Sequence, residues 1–185
     1  PAGDVDGDGF ADILITAGFA GDDNSGEVYL IHGKDLDHIG KYYLNDAAVT
    51  ISGAKNEYAA EAVDNAGDID DDGLGDILIG SPYNTEEGYL AGKAVLFLGK
   101  SLPTQGQRLL VDADISIFGT EREQYVGQAL AGAEDIDGDG VSNAFDPFPL
   151  DPAAYADADG DGFPDSLHGP STTGLVADLD DDNDG

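Results

Sequence analysis

Four stretches of this chain set aspartates at alternate positions and follow them with a glycine. Carboxylates so spaced are the hard oxygen donors that wrap a divalent cation. The shared pattern is Asp-x-Asp-x-Asp-Gly-x-x-Asp/Asn, the first nine positions of an EF-hand-type loop. Positions 1, 3 and 5 offer carboxylates, position 7 a backbone carbonyl and position 9 a further side-chain oxygen, while glycine at position 6 allows the sharp turn. Loop one is Asp4, Asp6, Asp8, the Phe10 carbonyl and Asp12; loop two is Asp68, Asp70, Asp72, the Leu74 carbonyl and Asp76. Loop three is Asp135, Asp137, Asp139, the Val141 carbonyl and Asn143; loop four is Asp157, Asp159, Asp161, the Phe163 carbonyl and Asp165. A fifth, Asp180, Asp182 and Asp184, stops at Gly185.

A single such stretch is matched by an ordinary Asp-rich turn. Four in register, each with an oxygen-bearing residue at position 9, are not. The donors are all oxygen and neither His nor Cys enters the pattern, which disfavours zinc and copper. Magnesium keeps its waters in a tight octahedron, so five protein oxygens on one loop suit calcium better. The reading is Ca2+ at no fewer than four sites. An EF-hand closes with a bidentate Glu at position 12, but Ile15 and Ile79 stand there in loops one and two, inside strand-like text. These are therefore not helix-loop-helix units. Loop three has Asp146 at that position, able to close its site, and loop four has His168, read as a solvated loop residue.

The elements that must carry these loops repeat. Asp4 to Ile15 recurs as Asp68 to Ile79, and Gly26-Glu-Val-Tyr-Leu-Ile-His-Gly-Lys34 recurs as Gly92-Lys-Ala-Val-Leu-Phe-Leu-Gly-Lys100. Tyr58-Ala-Ala-Glu-Ala-Val63 and Tyr125-Val-Gly-Gln-Ala-Leu130 each run into the next Asp loop. Two units of roughly 65 residues and the start of a third follow. Each unit predicts four short strands: 11–17, 27–32, 49–52 and 58–66, then 75–80, 93–98, 114–118 and 125–133. Apolar runs such as Ala94 to Leu98 lack strict alternation, which implies sheets covered on both faces. The expected fold class is all-β, with propeller-blade-like four-stranded antiparallel units and Asp-rich hairpin loops.

Of 185 residues, 7 are Lys or Arg and 39 are Asp or Glu, for a formal net charge of −32. Such a surface repels nucleic-acid phosphate and anionic membrane and attracts cations. No apolar run reaches membrane-spanning length, so neither nucleic acid nor membrane insertion is expected. With no cysteine to staple the fold, bound metal is the alternative. The chain begins and ends within repeat text, which reads as a piece of something longer. From Asp135 onward there is no Lys or Arg and no convincing strand. That part is either a loose acidic tail or a segment ordered by metal, giving a division into 1–134 and 135–185. In the second reading it runs extended, with Phe145, Phe148 and Leu150 making a small apolar contact.

The first 140 or so residues resemble FG-GAP repeats, the calcium-bearing blades of integrin α-subunit propellers and of many bacterial surface proteins. The Asp loop and the following apolar strand carry the resemblance, and Gly80-Ser81-Pro82 stands where that family has Gly-Ala-Pro. The namesake Phe-Gly is replaced by Ala59-Ala60 and Val126-Gly127. Residues 135–185 resemble cysteine-free thrombospondin type 3 repeats, through Phe145-Asp-Pro-Phe-Pro-Leu-Asp-Pro152 and the Asp loops on either side. These resemblances imply a calcium-stabilised structural or adhesive module, extracellular or on the cell surface. Its partner would be a protein or glycan surface ligand, or further copies of itself in a fibre joined by shared calcium sites or strand addition.

An enzyme is not expected, although an accessory domain of a secreted hydrolase is a remote alternative. The well-placed aspartates are already assigned to loops, and the three histidines are isolated in sequence. His32 reads as a strand-end surface residue, and Glu57 to Glu61 and Glu121 to Glu123 as solvated faces. Tyr42, Tyr43, Tyr83 and Tyr89 could form a ligand patch, but strand-end tyrosines more often pack against edges.

Overall fold

The computed structural model describes residues 2–21, 23–36, 40–70, 72–132, 147–148, 150–158, 160 and 162–178. The chain divides into two compact units, Pro1–Gly132 and Ala133–Gly185. Loop three with Asp146, Asp159 and Asp161 of loop four, and Asp180, Asp182 and Asp184 lie outside the described residues, as do His38 and Phe145.

The first unit is all-β. Its strands are β1 (Ile13–Ala17), β2 (Glu27–Ile31), β3 (Val49–Ser52), β4 (Ala62–Gly67), β5 (Asp76–Ser81), β6 (Lys93–Phe97), β7 (Gly106–Leu109) and β8 (Ile115–Phe118). The helical pieces among the described residues are single 3-10 turns. One sheet has the order β1-β2-β3-β7 and the other β4-β5-β6-β8. All pairings are antiparallel except β3 with β7.

Three strand expectations need correction. The segment around 58–66 does form β4, but β4 pairs with β5 and opens the second sheet instead of closing the first. The first sheet takes its fourth strand from β7, parallel to β3 with Val49 opposite Gly106. Within the repeat, β7 corresponds to residues 40–43, which form no strand, so periodicity could not announce it. Lastly, the described part of 125–133 is turns joined by one bridge, Gly92 with Val126.

The inward faces of both sheets share one core. Val28, Leu30, Val49 and Ile51 from the first meet Ile77, Ile79, Val95 and Phe97 from the second. Phe97 is fully buried, and truncating such a ring to Ala typically costs about 3–5 kcal/mol. All five residues of β6 are buried, as its unbroken apolar run implied. By contrast β1 leaves Ile13 and Ile15 more than a third exposed. Beside β5 lies β4, whereas no described strand occupies the matching place beside β1.

Two glycines seat the blades. Gly26 and Gly92 share φ +78°, and a Cβ on either would lie 2.1 Å from the Ala59 oxygen or 2.4 Å from the Val126 amide. Only glycine meets both conditions, which explains why this position recurs with the repeat.

The second unit shows no strand or helix among its described residues. It nevertheless doubles back on itself. His168 N–H donates to the Ala153 carbonyl at 2.8 Å and Asp165 N–H to Ala156 at 2.9 Å. Asp151 is buried and collects the Thr172 and Thr173 amides and the Ser171 and Thr173 hydroxyls. Burial alone would raise its carboxyl pKa, but these donors outweigh it and hold the value well below the ordinary range. Leu150 is exposed.

Candidate metal centre

Loop two is the turn of the β4–β5 hairpin, entered from Gly67 and left at Asp76, which face each other across the ladder. In loop one the same closure is made by the Gly3–Asp12 bridge. Within each loop the position-1 carboxylate gathers backbone donors. Asp4 accepts the Asp8 and Gly9 amides at 3.0 and 2.8 Å, and Asp68 accepts the Asp72 and Gly73 amides at 3.0 and 2.7 Å. Position 5 turns back on position 7, through Phe10 N–H to Asp8 and Leu74 N–H to Asp72. The Phe10 ring is exposed, as suits a position whose expected donor is a carbonyl.

The result is two matching clusters. Asp4, Asp6 and Asp8, and likewise Asp68, Asp70 and Asp72, each offer a carboxylate oxygen, with the three oxygens within 4.8 Å of one another. Three like charges so close repel by about 1 kcal/mol per pair even at water's dielectric. The loops are also neighbours, since Gly75 N–H of loop two donates to the Asp4 carbonyl at 2.7 Å.

Asp12 and Asp76 are fully buried, and their oxygens face backbone donors. Asp12 takes the Val5 amide at 2.9 Å and the Gly33 amide at 2.8 Å. Asp76 takes those of Ile69 at 2.6 Å and Gly99 at 2.9 Å. Burial pushes the Asp76 carboxyl up to about 6 despite these bonds, with Asp70 and Asp68 adding repulsion. Burial likewise raises that of Asp12. Neither belongs to the three-oxygen clusters, although a carboxylate has about four acceptor directions and two remain.

Loop four follows the same plan as far as it is described. Asp157 accepts the Gly160 and Gly162 amides at 2.7 and 3.0 Å, and Asp165 accepts Ala158 N–H at 2.9 Å. The exposed Phe163 matches Phe10. His168 lies outside this arrangement, bonded to the Tyr155 hydroxyl at 2.8 Å.

Several groups did not stand out in the sequence. Lys34 bonds Asp6 and lies 2.9 Å from Asp8, and Lys100 bonds Asp70. Their signal was present, because both follow a glycine at the same point of the repeat. His32 is buried, with Nδ1 3.0 Å from Asp6, so the surface reading is overturned. Its counterpart is Leu98, which marks that position as inward-pointing. Glu57 is also buried, not solvated: it pairs with buried Lys93 at 2.6 Å and accepts Asn84 Nδ2 at 2.9 Å.

Tyr83 joins a row of edge-to-face rings, Phe19–Tyr58–Tyr83–Tyr125, with centroids 5.9, 5.8 and 6.3 Å apart. Part of this row borders an open hollow of about 510 Å³. Tyr89 instead lies under Arg122 at 4.6 Å.

The donor set fits a hard divalent cation. All three clustered side chains are carboxylates, and Asp70 Oδ1 is a buried oxygen with no hydrogen-bond partner. The fold and loops thus define an all-β first unit of two blade-like sheets, with one acidic loop leading into β1 and the other joining β4 to β5. An FG-GAP repeat profile matches residues 1–31. The chain is 32% identical to integrin alpha-4 of Xenopus laevis over 149 residues, covering 77% of this chain and 13% of that protein. It is 28% identical to integrin alpha-PS2 of Drosophila melanogaster over 148 residues, covering 73% of this chain and 10% of that protein. This chain therefore spans a small part of both relatives.

Proposed function

We propose that this chain is a calcium-binding, non-catalytic structural or adhesive module of an extracellular or cell-surface protein. The observation that carries the reading is the pair of matching carboxylate clusters, each placed at a hairpin turn that the fold already closes. Asp4, Asp6 and Asp8 with the Phe10 carbonyl and Asp12 would hold one ion, and the corresponding residues of loop two another. Loop four and the loops outside the described residues would supply further sites. Bound calcium cancels the repulsion inside each loop and fixes the turn between neighbouring strands.

Loops of this kind in extracellular modules bind at about 10⁻⁴–10⁻³ M, a range filled outside cells and empty in the cytosol. The likeness to integrin alpha subunits supports adhesion to a protein ligand. No helix among the described residues is long and apolar enough to cross a membrane.

Thermal melting in calcium and in EDTA, with metal content measured, tests the central reading. Melting should rise by many degrees with calcium. An unchanged melt in protein shown to be metal-free would sink the reading. Sedimentation of the same samples separates a monomeric module from a self-assembling one.

A further inference from the structure

We infer that Lys34 and Lys100 are tethered cations that occupy the carboxylate clusters of loops one and two in the calcium-free protein and are displaced when a divalent ion enters. This rests on the calcium reading of those loops and adds how their affinity is set. Geometry carries it. Lys34 Nζ bonds Asp6 and reaches Asp8 at 2.9 Å, and Lys100 Nζ bonds Asp70. These are the position-3 and position-5 side chains, the ones least committed to the backbone.

The placement is built into the repeat. Each lysine follows a glycine whose amide is held by the position-9 carboxylate, Gly33 on Asp12 at 2.8 Å and Gly99 on Asp76 at 2.9 Å. The 3-10 turns Gly33–Asp35 and Gly99–Ser101 then carry the lysines toward the loops. The side chains are about half exposed, so each can swing into water without unmaking the core. An ammonium forms a point charge with three donors, a fair stand-in for a metal among carboxylates.

Two consequences follow. The tether relieves carboxylate repulsion without metal, so the first unit keeps its loops folded when calcium is low. It also competes with calcium and weakens binding. No Lys or Arg lies beyond Asp135, so the loops there have no such competitor within their own segment.

The test uses the whole chain. Amine acetylation followed by peptide mass spectrometry, in EDTA and in calcium chloride, reports whether the lysines are released. Labelling of Lys34 and Lys100 should rise severalfold with calcium, while Lys55, paired with Asp23 away from the loops, should not change. In calorimetry the K34M/K100M double variant should bind calcium about tenfold more tightly at two sites, the effect of removing one positive charge near a divalent ion. Its metal-free melting temperature should fall. K41M/K55M removes the same charge elsewhere and should leave both measurements near wild type.

A folded double variant with equal or weaker affinity, or labelling that stays flat in calcium, overturns the inference. If the wild type itself gives no calcium heat, the calcium reading fails and takes this inference with it. Binding that is normal in both proteins defeats the inference alone.

Discussion

Asp68 and Asp70 are both candidate ligands of loop two, yet the structure gives them different work. Asp68 is nearly buried and accepts two backbone amides, from Asp72 at 3.0 Å and Gly73 at 2.7 Å. Asp70 accepts no backbone amide among the described residues. Its one bonded oxygen meets the half-exposed Lys100 and the other has no partner. Replacing each with alanine, with and without metal, separates the folding of the loop from its affinity.

Bonds to a charged acceptor are each worth about 1.5–3 kcal/mol when buried. The Asp68 amides lie at a turn where water can replace part of that, so Asp68→Ala should cost about 2 kcal/mol in EDTA. For a unit of this size that is roughly 6–10 °C of melting temperature. Asp70→Ala removes a repelling charge and an exposed ion pair, which nearly cancel. It should move the metal-free melt by less than about 2 °C. At 10 mM calcium, a site with a dissociation constant of 10⁻³–10⁻⁴ M contributes about 1.4–2.7 kcal/mol. Both variants should forfeit that share. Differential scanning calorimetry on wild type and the two variants, in EDTA and in calcium, reads all six values. Equal losses from both substitutions in EDTA would refute the division of roles, as would an Asp68→Ala protein that melts like wild type without metal.

Two further outcomes follow from buried acids outside the clusters' cation-facing positions. Glu57→Gln or Lys93→Met should each cost about 3–5 kcal/mol by stranding the other charge, and the double substitution appreciably less than their sum, measured by urea unfolding; additive losses would show that the pair is not coupled. In metal-free protein the Asp76 carboxyl, raised from 3.8 to about 6 chiefly by burial, binds its proton more tightly folded than unfolded. Its contribution to stability is therefore complete below about pH 4 and lost as pH rises through about 6. A carboxyl-carbon NMR titration should place its midpoint near 6, and a midpoint at or below 4 would contradict the buried site.

The sequence was most informative where one rule repeats. The apolar runs of β2, β3, β5 and β6 and the Asp spacing of the loops recur in register, so each copy corroborates the other. What it hid was pairing. β4 follows β1, β2 and β3 along the chain, yet it belongs to the second sheet, because the Asp loop forms a hairpin turn and a hairpin must join neighbours in one sheet. Read that way, loop two itself pointed to the β4–β5 pair. β7 was illegible for the opposite reason: it has no counterpart in the repeat, and its residues, Gly106 to Leu109, are largely exposed. His32 and Glu57 were misread because a polar residue in isolation looks solvated. Their burial depends on partners, Asp6 and Lys93, 26 and 36 residues away in the chain.

The loops also divide their carboxylates in a way that no spacing rule states. Positions 1 and 9 serve the backbone: Asp4, Asp68 and Asp157 close the turn, while Asp12 and Asp76 tie it to the chain following the next strand, at Gly33 and Gly99. Positions 3 and 5 take fewer backbone bonds and keep oxygens free for a cation, with Lys34 on Asp6 and Asp8 and Lys100 on Asp70. A loop built only from ligands would be driven apart by repulsion whenever its ion left. This one doubly bonds the acids at positions 1 and 9 to backbone amides and sets a tethered ammonium against those least bonded, Asp6 and Asp8 in loop one and Asp70 in loop two. Calcium would then tighten a turn that already exists. The Gly75–Asp4 hydrogen bond joins the two turns directly, so tightening one restrains the other, and the two sheets would stiffen together.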